Sequence, residues 1–275
     1  MDALRQVESW PSEHAAAGVA GPGGTLAVAG DTAHAFAFAS VTKLFTAYAT
    51  LVAAEEGSVE LDDPAGPEGS TLRHLLAHAS GLGPDGDVLS APERTRIYSN
   101  AGINLVAREV VERTGIAFAG YLAEAVLSPL GLGAELRGEP AEGMVGTLDD
   151  LLAFGRELLA PRLISRETLD EATSVQFPGL KGVLPGFGRM EPNDWGLGFE
   201  LRDGKSPHWT GSRNDRGTFG HFGSKRGTAT FLWVDRAAGL ACAGLADIDF
   251  GQWAKGAWPA LADAVLSEGS RAGAG

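Results

Sequence analysis

The sequence predicts an α/β protein of the α+β type, in which one antiparallel sheet is built from both ends of the chain. Apolar runs with the period of strands lie near the two ends, whereas the middle shows the three- and four-residue apolar spacing of amphipathic helices. We therefore expect residues 1–62 and 185–275 to form a sheet lobe flanked by helices. Residues 63–184 are expected to form an inserted all-helical lobe, with the active site in the cleft.

The N-terminal part predicts a hairpin that leads into a helix. Ala15–Ala20 and Thr25–Ala29 flank the turn sequence Gly21-Pro22-Gly23-Gly24, a pattern typical of a β-hairpin. Residues 35–39 alternate large and small side chains like the end of a strand. From residue 41 to residue 56 the apolar residues recur at helical spacing, which predicts a helix there.

The middle of the chain predicts several helices, each with a recognisable boundary residue. Ser70 is the expected N-cap of a short helix that ends at Ala79, and Gly115 ends a helix over Ala101–Thr114. Thr147 and Asp150 resemble a capping box. Further helices are expected over residues 118–127, from Thr147 to Leu159, and from Ser165 to about Thr173.

The strand period returns near the C-terminus. Trp195–Leu201, Thr228–Asp235 and Gly239–Ala246 are predicted strands, and the short turn between the last two indicates a hairpin. Residues 252–267 are expected to be helical, and residues 268–275 to be a frayed tail.

Composition narrows the class of function. The 275 residues carry 22 basic and 35 acidic side chains, a formal charge of −13, which argues against nucleic-acid or anionic-membrane partners. The N-terminus has no apolar signal segment and no run reaches the length of a membrane span, so we expect a cytoplasmic protein. Cys242, the single cysteine, lies among apolar residues, which excludes an intrachain disulfide and argues against a cysteine nucleophile.

Ser40 and Lys43 are the candidate reacting groups. Ser40 stands at the start of the predicted helix, and residues three apart on a helix are neighbours, so the Lys43 amine can reach the Ser40 hydroxyl. Backbone N–H groups of the first helical turn face an oxyanion formed there. Taken alone, this spacing is common by chance, because serine is a frequent N-cap and lysine a frequent helix residue.

Other common sites are not indicated. His74 and His78 lie four residues apart, as in metalloprotease helices, but Leu75 stands where that motif has a glutamate. No glycine-rich phosphate-binding motif follows a predicted strand. We therefore expect no metal and no cofactor.

Three further motifs accompany Ser40 and Lys43 in the order found in one superfamily. They are residues 75–82 (Leu-Leu-Ala-His-Ala-Ser-Gly-Leu), Tyr98-Ser99-Asn100 and Gly220-His221-Phe222-Gly223. With them the chain, from about Gly18 to Asp247, resembles the serine β-lactamase and penicillin-binding-protein superfamily. Its branch is that of class C β-lactamases, family VIII esterases and D-amino-acid-specific peptidases. The resemblance implies a β-lactamase/transpeptidase-like fold.

The resemblance also implies roles for the first motifs. Ser40 would be the acylated nucleophile, and Lys43 would keep its hydroxyl ready to lose a proton. Tyr98 would shuttle that proton to the leaving group, and Asn100 would orient Lys43 or the substrate amide. Without the resemblance, Tyr98 reads equally well as a packed loop aromatic and Asn100 as a helix cap.

The third motif and its surroundings complete the predicted site. Gly223 would allow close approach of its strand, and the backbone N–H groups of Ser40 and Ser224 would form the oxyanion hole. His221 is expected in the pocket wall rather than as an ordinary strand histidine. Trp209 lies in a long polar loop that either walls the acyl pocket or is solvated, with the tryptophan as its anchor.

The predicted function is a serine hydrolase that works through an acyl-enzyme on a small-molecule ester or amide. Where many relatives have K-T-G, this chain has H-F-G, and a mostly neutral histidine weakens attraction to a substrate carboxylate. That favours a carboxylic ester hydrolase over a β-lactamase, D-aminopeptidase or DD-peptidase. Lys225 and Arg226 either restore the missing charge or belong to a solvated turn in which their charges merely balance nearby acids. A non-catalytic ligand-binding or sensor module and an acyltransferase stay open, as does the oligomeric state.

Overall fold

The computed structural model describes residues 1–272, with strands near both ends of the chain. The strands are β1 (Ala15–Gly21), β2 (Gly24–Gly30), β3 (Phe36–Ala37), β4 (Glu135–Leu136), β5 (Met144–Gly146), β6 (Gly182–Leu184), β7 (Gly188–Met190), β8 (Glu200–Leu201), β9 (Phe219–Lys225), β10 (Thr228–Asp235) and β11 (Leu240–Ala246). A six-stranded antiparallel sheet has the order β2-β1-β11-β10-β9-β8, and β3-β5-β4 and β6-β7 form small sheets. Because β1 pairs with β11, both ends of the chain build the main sheet, as predicted.

Seven α-helices lie in the segment between β3 and β6. They are α1 (Thr42–Glu55), α2 (Leu72–Leu76), α3 (Asn100–Thr114), α4 (Phe118–Leu122), α5 (Ser128–Leu130), α6 (Leu148–Leu159) and α7 (Arg166–Ala172), and α8 (Gln252–Ala272) follows the sheet. A π-helical turn, Ala123–Leu127, joins α4 to α5, and 3₁₀ helices cover Asp2–Ser9 and Ala39–Val41. In the described range, no helix has the length and apolar character that a membrane span requires.

Both faces of the main sheet are buried. On β10, Leu232 and Val234 join the core formed with α1 and α6, while Phe231 and Trp233 join a second core with α8 and the N-terminal 3₁₀ helix. Successive strand residues point to opposite faces, so an apolar residue at every position requires cover on both sides. The fully buried run of β10 therefore places this strand at the centre of the molecule.

Several predicted boundaries are confirmed. The N-terminal hairpin and the β10–β11 hairpin form where the turn sequences indicated. Thr147 caps α6 with Asp150 in a capping box, and the Ser165 hydroxyl caps α7. Gly115, with φ of 72°, ends α3 in the left-handed conformation that glycine adopts readily.

Two predicted elements need correction. The N-cap of α2 is Thr71, whose backbone N–H donates to His74 Nδ1 at 3.2 Å, whereas the Ser70 hydroxyl bonds the Ala65 carbonyl. The predicted strand over 195–201 is reduced to β8. Gly198 has φ of 78° and its N–H donates to the Leu76 carbonyl, so this backbone leaves the sheet to contact the helices.

The C-terminal tail is also more ordered than predicted. Helix α8 continues to Ala272, and the Glu268 carboxylate accepts a hydrogen bond from the Ala3 N–H at 2.8 Å. This contact ties the end of the chain to its beginning. The remainder of the predicted tail, residues 273–275, lies outside the described range. The division into a sheet lobe and a helical lobe stays a prediction.

The main sheet packs closely against the segment before α1 at Thr230 of β10 and Gly223 of β9. Thr230 Oγ1 donates to the Phe38 carbonyl at 2.8 Å, and Gly223 packs directly beneath that carbonyl. A Cβ at residue 223 would clash with the Phe38 oxygen and with Thr230 Oγ1, and would lie 3.0 Å from the Ala39 Cβ. Glycine at this position therefore sets the distance between the sheet and the start of α1.

We expect Gly223→Ala to lower the free energy of unfolding by about 2 kcal/mol, because the added methyl group meets backbone that cannot move freely. Urea denaturation measures the change. Gly256→Ala is the matched control: it adds the same methyl group inside α8, where nothing lies within 4 Å, and should leave stability equal or slightly higher. Equal effects of the two changes would contradict close packing at Gly223.

Candidate active site

Ser40 lies in a strained turn at the start of α1. The 3₁₀ turn Ala39–Val41 precedes the helix, and the Val41 N–H donates to the Phe38 carbonyl at 3.1 Å. Ala39 has φ of 46°, a left-handed conformation that is uncommon for alanine. The turn leaves the Ser40 side chain partly exposed between two buried neighbours. A hydroxyl is thus presented at the N-terminal end of a helix.

Lys43 is fully buried directly beneath Ser40. Its Nζ lies 3.2 Å from Ser40 Oγ and donates to the Ala141 carbonyl at 2.9 Å. Burial lowers the pKa of Lys43 from 10.5 to about 7, and the negative charge of Glu142 opposes this only in part. A large fraction of the amine is therefore neutral near pH 7 and able to accept a proton.

The segment that carries the Ala141 carbonyl is fastened to α1 on both sides of Lys43. Thr46 Oγ1 donates to the Pro140 carbonyl at 2.6 Å, and Thr42 Oγ1 accepts the Met144 N–H at 3.0 Å. The Ala141 N–H in turn donates to Asn104 Oδ1 at 2.9 Å. Lys43 is consequently held in place by a carbonyl that three side chains position.

Tyr98 completes the contact with Ser40. Tyr98 and Ser40 line the same cavity, and Lys43 Nζ lies 4.8 Å from the centroid of the Tyr98 ring. Burial raises the pKa of Tyr98 well above 10, although the Ser40 hydrogen bond acts in the opposite direction. The phenol therefore stays protonated at neutral pH. Of the two candidate bases, Lys43 is the one poised to take a proton.

A cavity of about 210 Å³ opens above these side chains. Of the predicted site residues, Ser40, Tyr98, Asn100, His221 and Ser224 line it. Gly223 lies below, against the nucleophile turn. The remaining lining residues are Glu142, Leu184, Pro185, Trp195, Glu200 and Phe222. The structure thus brings most of the predicted residues together.

Asn100 faces the cavity but does not contact Lys43. Its Oδ1 is buried, and no residue in the described range donates to it. The cap of α3 is Ser99, whose Oγ accepts the Gly102 N–H at 2.9 Å, so the alternative of Asn100 as the helix cap is wrong. The Ala141 carbonyl, rather than Asn100, orients Lys43. A role of the Asn100 amide in contacting a substrate stays a prediction.

His221 and His78 are buried neutral rings beside Tyr98. His221 Nδ1 donates to the Phe222 carbonyl at 2.6 Å, and burial together with the charge of Lys43 lowers the pKa of His221 to about 3. His78 Nδ1 accepts the Ser99 N–H at 3.2 Å, and its ring lies 4.8 Å from that of Tyr98. Neither histidine supplies positive charge to the cavity at pH 7.

Trp209 does not wall the cavity, which corrects its assignment as a substrate-binding residue. It is 2% exposed and packs against Phe222 and Phe231 in the second core. Its Nε1 donates to Glu200 Oε2 at 2.5 Å, and a tryptophan N–H is usually bonded when it is buried. The alternative reading of an anchoring tryptophan is the one that the contacts support.

Glu200 is a cavity residue that the sequence did not reveal. Its carboxylate also contacts Lys205 Nζ at 3.2 Å and His208 Nε2 at 2.8 Å. Burial acts to raise the pKa of Glu200, but the charge of Lys205 and the hydrogen bonds of His208 and Trp209 outweigh it and hold that pKa far below its usual range. Glu200 is thus an ionised carboxylate whose charge is compensated within the wall. In the sequence it was one residue of a predicted strand.

Glu142 is the second residue that the sequence missed. It lies between β4 and β5, lines the cavity, and accepts a hydrogen bond from Lys225 Nζ at 2.7 Å. Lys225 therefore balances a nearby acid, as the second of the two sequence-based readings stated. No local pattern marks Glu142, because its proximity to Lys225 arises only when the segment folds over α1.

His74 and His78 contact different residues and do not form a pair of metal ligands. His74 Nε2 contacts Glu93 at 3.1 Å and its Nδ1 contacts Thr71, while His78 faces Tyr98. Within residues 1–272, ligand atoms close enough for a shared metal ion occur on His14, Asp31 and His34. This group lies outside the cavity lining; His14 and Asp31 form an ion pair of 2.8 Å, and the His34 ring stacks on that of His14.

Comparison with known proteins identifies the family of the chain. The sequence profile of the β-lactamase family matches residues 12–134 and 132–266. A crystal structure of a β-lactamase from Mycobacterium bovis is 52% identical, covers 97% of this chain and 99% of its own, and superposes with a TM-score of 0.94. Among curated proteins, no sequence matches significantly.

More distant structures show the same fold. A D-stereospecific amidohydrolase from Streptomyces sp. is 22% identical over 94% of this chain and 96% of its own, with a TM-score of 0.71. A mutant of simvastatin synthase from Aspergillus terreus is 16% identical over 98% and 96%, with a TM-score of 0.76. With the family profile spanning nearly the whole sequence, the chain belongs to the β-lactamase family within the serine β-lactamase and penicillin-binding-protein superfamily.

Proposed function

We propose that this chain is a serine hydrolase that cleaves carboxylic esters through an acyl-enzyme on Ser40. One observation carries the proposal: the Lys43 amine, with a pKa of about 7, lies 3.2 Å from the Ser40 hydroxyl. A base works best when its pKa is close to the working pH, and a nucleophile needs that base within hydrogen-bonding reach.

The acylation step uses the three side chains in turn. Neutral Lys43 takes the Ser40 proton as Oγ bonds to the ester carbonyl carbon. The tetrahedral intermediate then collapses, the bond to the alcohol oxygen breaks, and Tyr98 gives its proton to that oxygen. The Lys43 ammonium returns a proton to Tyr98, so both side chains end in their starting states. Water repeats the sequence on the acyl-enzyme and releases the acid.

The backbone N–H groups of Ser40 and Ser224 would stabilise the intermediate. Ser40 stands at the beginning of α1, where N–H groups are free of helical partners. On the other side, β8 pairs with β9 only at Phe219 and Gly220, which leaves the edge of β9 near Ser224 without a neighbouring strand. One such donor is worth roughly 10² to 10³ in rate.

The charges of the cavity favour a neutral ester. His221 is uncharged, Lys225 is paired with Glu142, and Glu200 is compensated inside the wall. A substrate carboxylate would therefore find no free cation among these groups and would face Glu142. The 52% identical β-lactamase supports a β-lactam as the second candidate substrate. The complete set of Ser40, Lys43 and Tyr98 counts against a non-catalytic module.

We expect Ser40→Ala to abolish covalent labelling by p-nitrophenyl acetate, because no other hydroxyl shares the contacts with Lys43 and Tyr98. Intact-mass spectrometry should show one acetyl adduct on the wild type and none on the variant. Its thermal unfolding midpoint should be almost unchanged, since the serine side chain caps no helix. An acetylated Ser40→Ala protein would contradict the assignment, and the same assay with a penicillin tests the second substrate class.

The pKa of Lys43 predicts the pH dependence. Only the neutral amine can accept the Ser40 proton, so kcat/KM for a neutral ester should rise with pH, reach half its maximum near pH 7 and then level off. Lys43→Arg, which stays protonated throughout, should lower kcat/KM at least about 10²-fold at every pH. A profile that is flat between pH 5.5 and 9 would exclude Lys43 as the base.

Glu142→Gln should change two measurements at once. The Lys225 charge is freed, so kcat/KM for esters that carry a carboxylate should rise severalfold relative to neutral esters, and added salt should shrink the gain. The Glu142 charge also raises the pKa of Lys43, so its loss should move the pH midpoint downward. Lys225→Ala is the control, because it should not improve anionic esters. An identical change in kcat/KM for both ester types would show that the Glu142–Lys225 pair does not influence the choice of substrate.

A further inference from the structure

A second cavity, of about 370 Å³, adjoins the catalytic one. Tyr98 and Pro185 line both cavities, so the two adjoin at these side chains. The walls of the second cavity include Pro84, Ile97 and Val183. It is larger than the cavity above Ser40 and forms an open groove leading away from it.

The groove is apolar although Arg96 belongs to its lining. The Arg96 guanidinium is buried and donates to the carbonyls of Ala77, Asn193, Gln176 and Phe177 at 2.6 to 3.0 Å. Thr95 Oγ1 likewise donates to the Lys181 carbonyl at 2.8 Å. Because these polar groups are already bonded to the protein, the groove offers a ligand mainly hydrocarbon surface.

One side chain of the groove wall is both apolar and exposed to solvent. Val183 is 59% exposed, so its methyl groups are free to contact a ligand in the groove. A few residues after Pro84, which also lines the groove, Val88 and Leu89 are 63% and 61% exposed. A single exposed apolar residue is ordinary, but one in the wall of an apolar groove is placed to contact an apolar group.

We propose that this groove binds the apolar alcohol arm of the ester, so that the substrates are esters of medium-length aliphatic alcohols. The inference rests on the proposed function. Tyr98 gives a proton to the leaving oxygen, and a general acid must lie within hydrogen-bonding distance of the oxygen that it protonates. The alcohol arm therefore starts at Tyr98, and the groove begins on the other side of the same ring.

This placement separates the two halves of the reaction. The alcohol has left once the acyl-enzyme forms, so the groove acts on acylation and has no substrate group to bind during deacylation. For a series of alkyl acetates, kcat/KM should rise about twofold to fourfold for each added methylene until the groove is filled. The acetyl-enzyme is the same for every member of the series, so its hydrolysis rate is a built-in reference.

The test compares ethyl, butyl and hexyl acetate on the wild type and on variants at residue 183. Val183→Asp and Val183→Lys should each lower kcat/KM for hexyl acetate by about tenfold and leave ethyl acetate within twofold. If the negative and the positive side chain lower kcat/KM for hexyl acetate equally, the cause is the loss of apolar contact rather than an electrostatic effect. Leu26→Asp and Leu26→Lys are matched controls, since Leu26 is 58% exposed on β2 and lines neither cavity.

Hydrolysis of the acetyl-enzyme, formed with p-nitrophenyl acetate and followed by mass spectrometry, should proceed at the wild-type rate in all four variants. The groove proposal is overturned if the wild type acetylates Ser40 but shows no dependence on alcohol length, or if Val183 and Leu26 variants respond alike. Absence of any acetyl-enzyme would instead overturn the proposed function. The two failures are thus distinguishable in one set of measurements.

Discussion

The burial of the Lys43 amine is the constraint on which the site depends. A shift of its pKa from 10.5 to about 7 means that the charged form is disfavoured by about 5 kcal/mol relative to water. Folding therefore favours the neutral amine, and stability linked to this group rises with pH between about 7 and 10.5. The same burial that costs stability at low pH supplies a base beside Ser40. The Ala141 carbonyl accepts from the amine in either protonation state and so fixes its position.

The Phe38 carbonyl, just before α1, is a point at which both β9 and β10 contact the nucleophile turn. Thr230 donates to it and Gly223 allows β9 to approach it, so the register of the β9–β10 hairpin determines where the edge of β9 lies relative to Ser40. A shift of one residue would place a side chain against the nucleophile turn and turn His221 to the other face. In the H-F-G motif, Gly223 is therefore required for close packing. His221 is an uncharged part of the cavity wall.

The parts of the fold and site that follow local rules were predictable from the sequence. Thr147 and Ser165 cap helices through their own hydroxyls, and the three-residue step from Ser40 to Lys43 places both side chains on one helical face. The order of the motifs indicated the family. What failed depends on contacts distant in sequence. Gly198 turns away from the sheet and donates its N–H to the Leu76 carbonyl, and the buried Trp209 indole donates to Glu200. Neither contact can be derived from the periodicity of the sequence. Glu142 became visible only through its contact with Lys225.

The charges around Ser40 are compensated pair by pair, and this explains how a chain of net charge −13 keeps a nearly neutral cavity. Glu200 is ionised but enclosed by Lys205 and His208, and Glu142 is paired with Lys225 at the rim. An uncompensated carboxylate beside Lys43 would favour the protonated amine and remove the base. An uncompensated cation would attract anions, but it would lower the pKa of Lys43 further. The amine would then be too weak a base to take the Ser40 proton. Compensation leaves burial as the main determinant of the Lys43 pKa, and leaves apolar contact as the means by which the neighbouring groove selects a substrate.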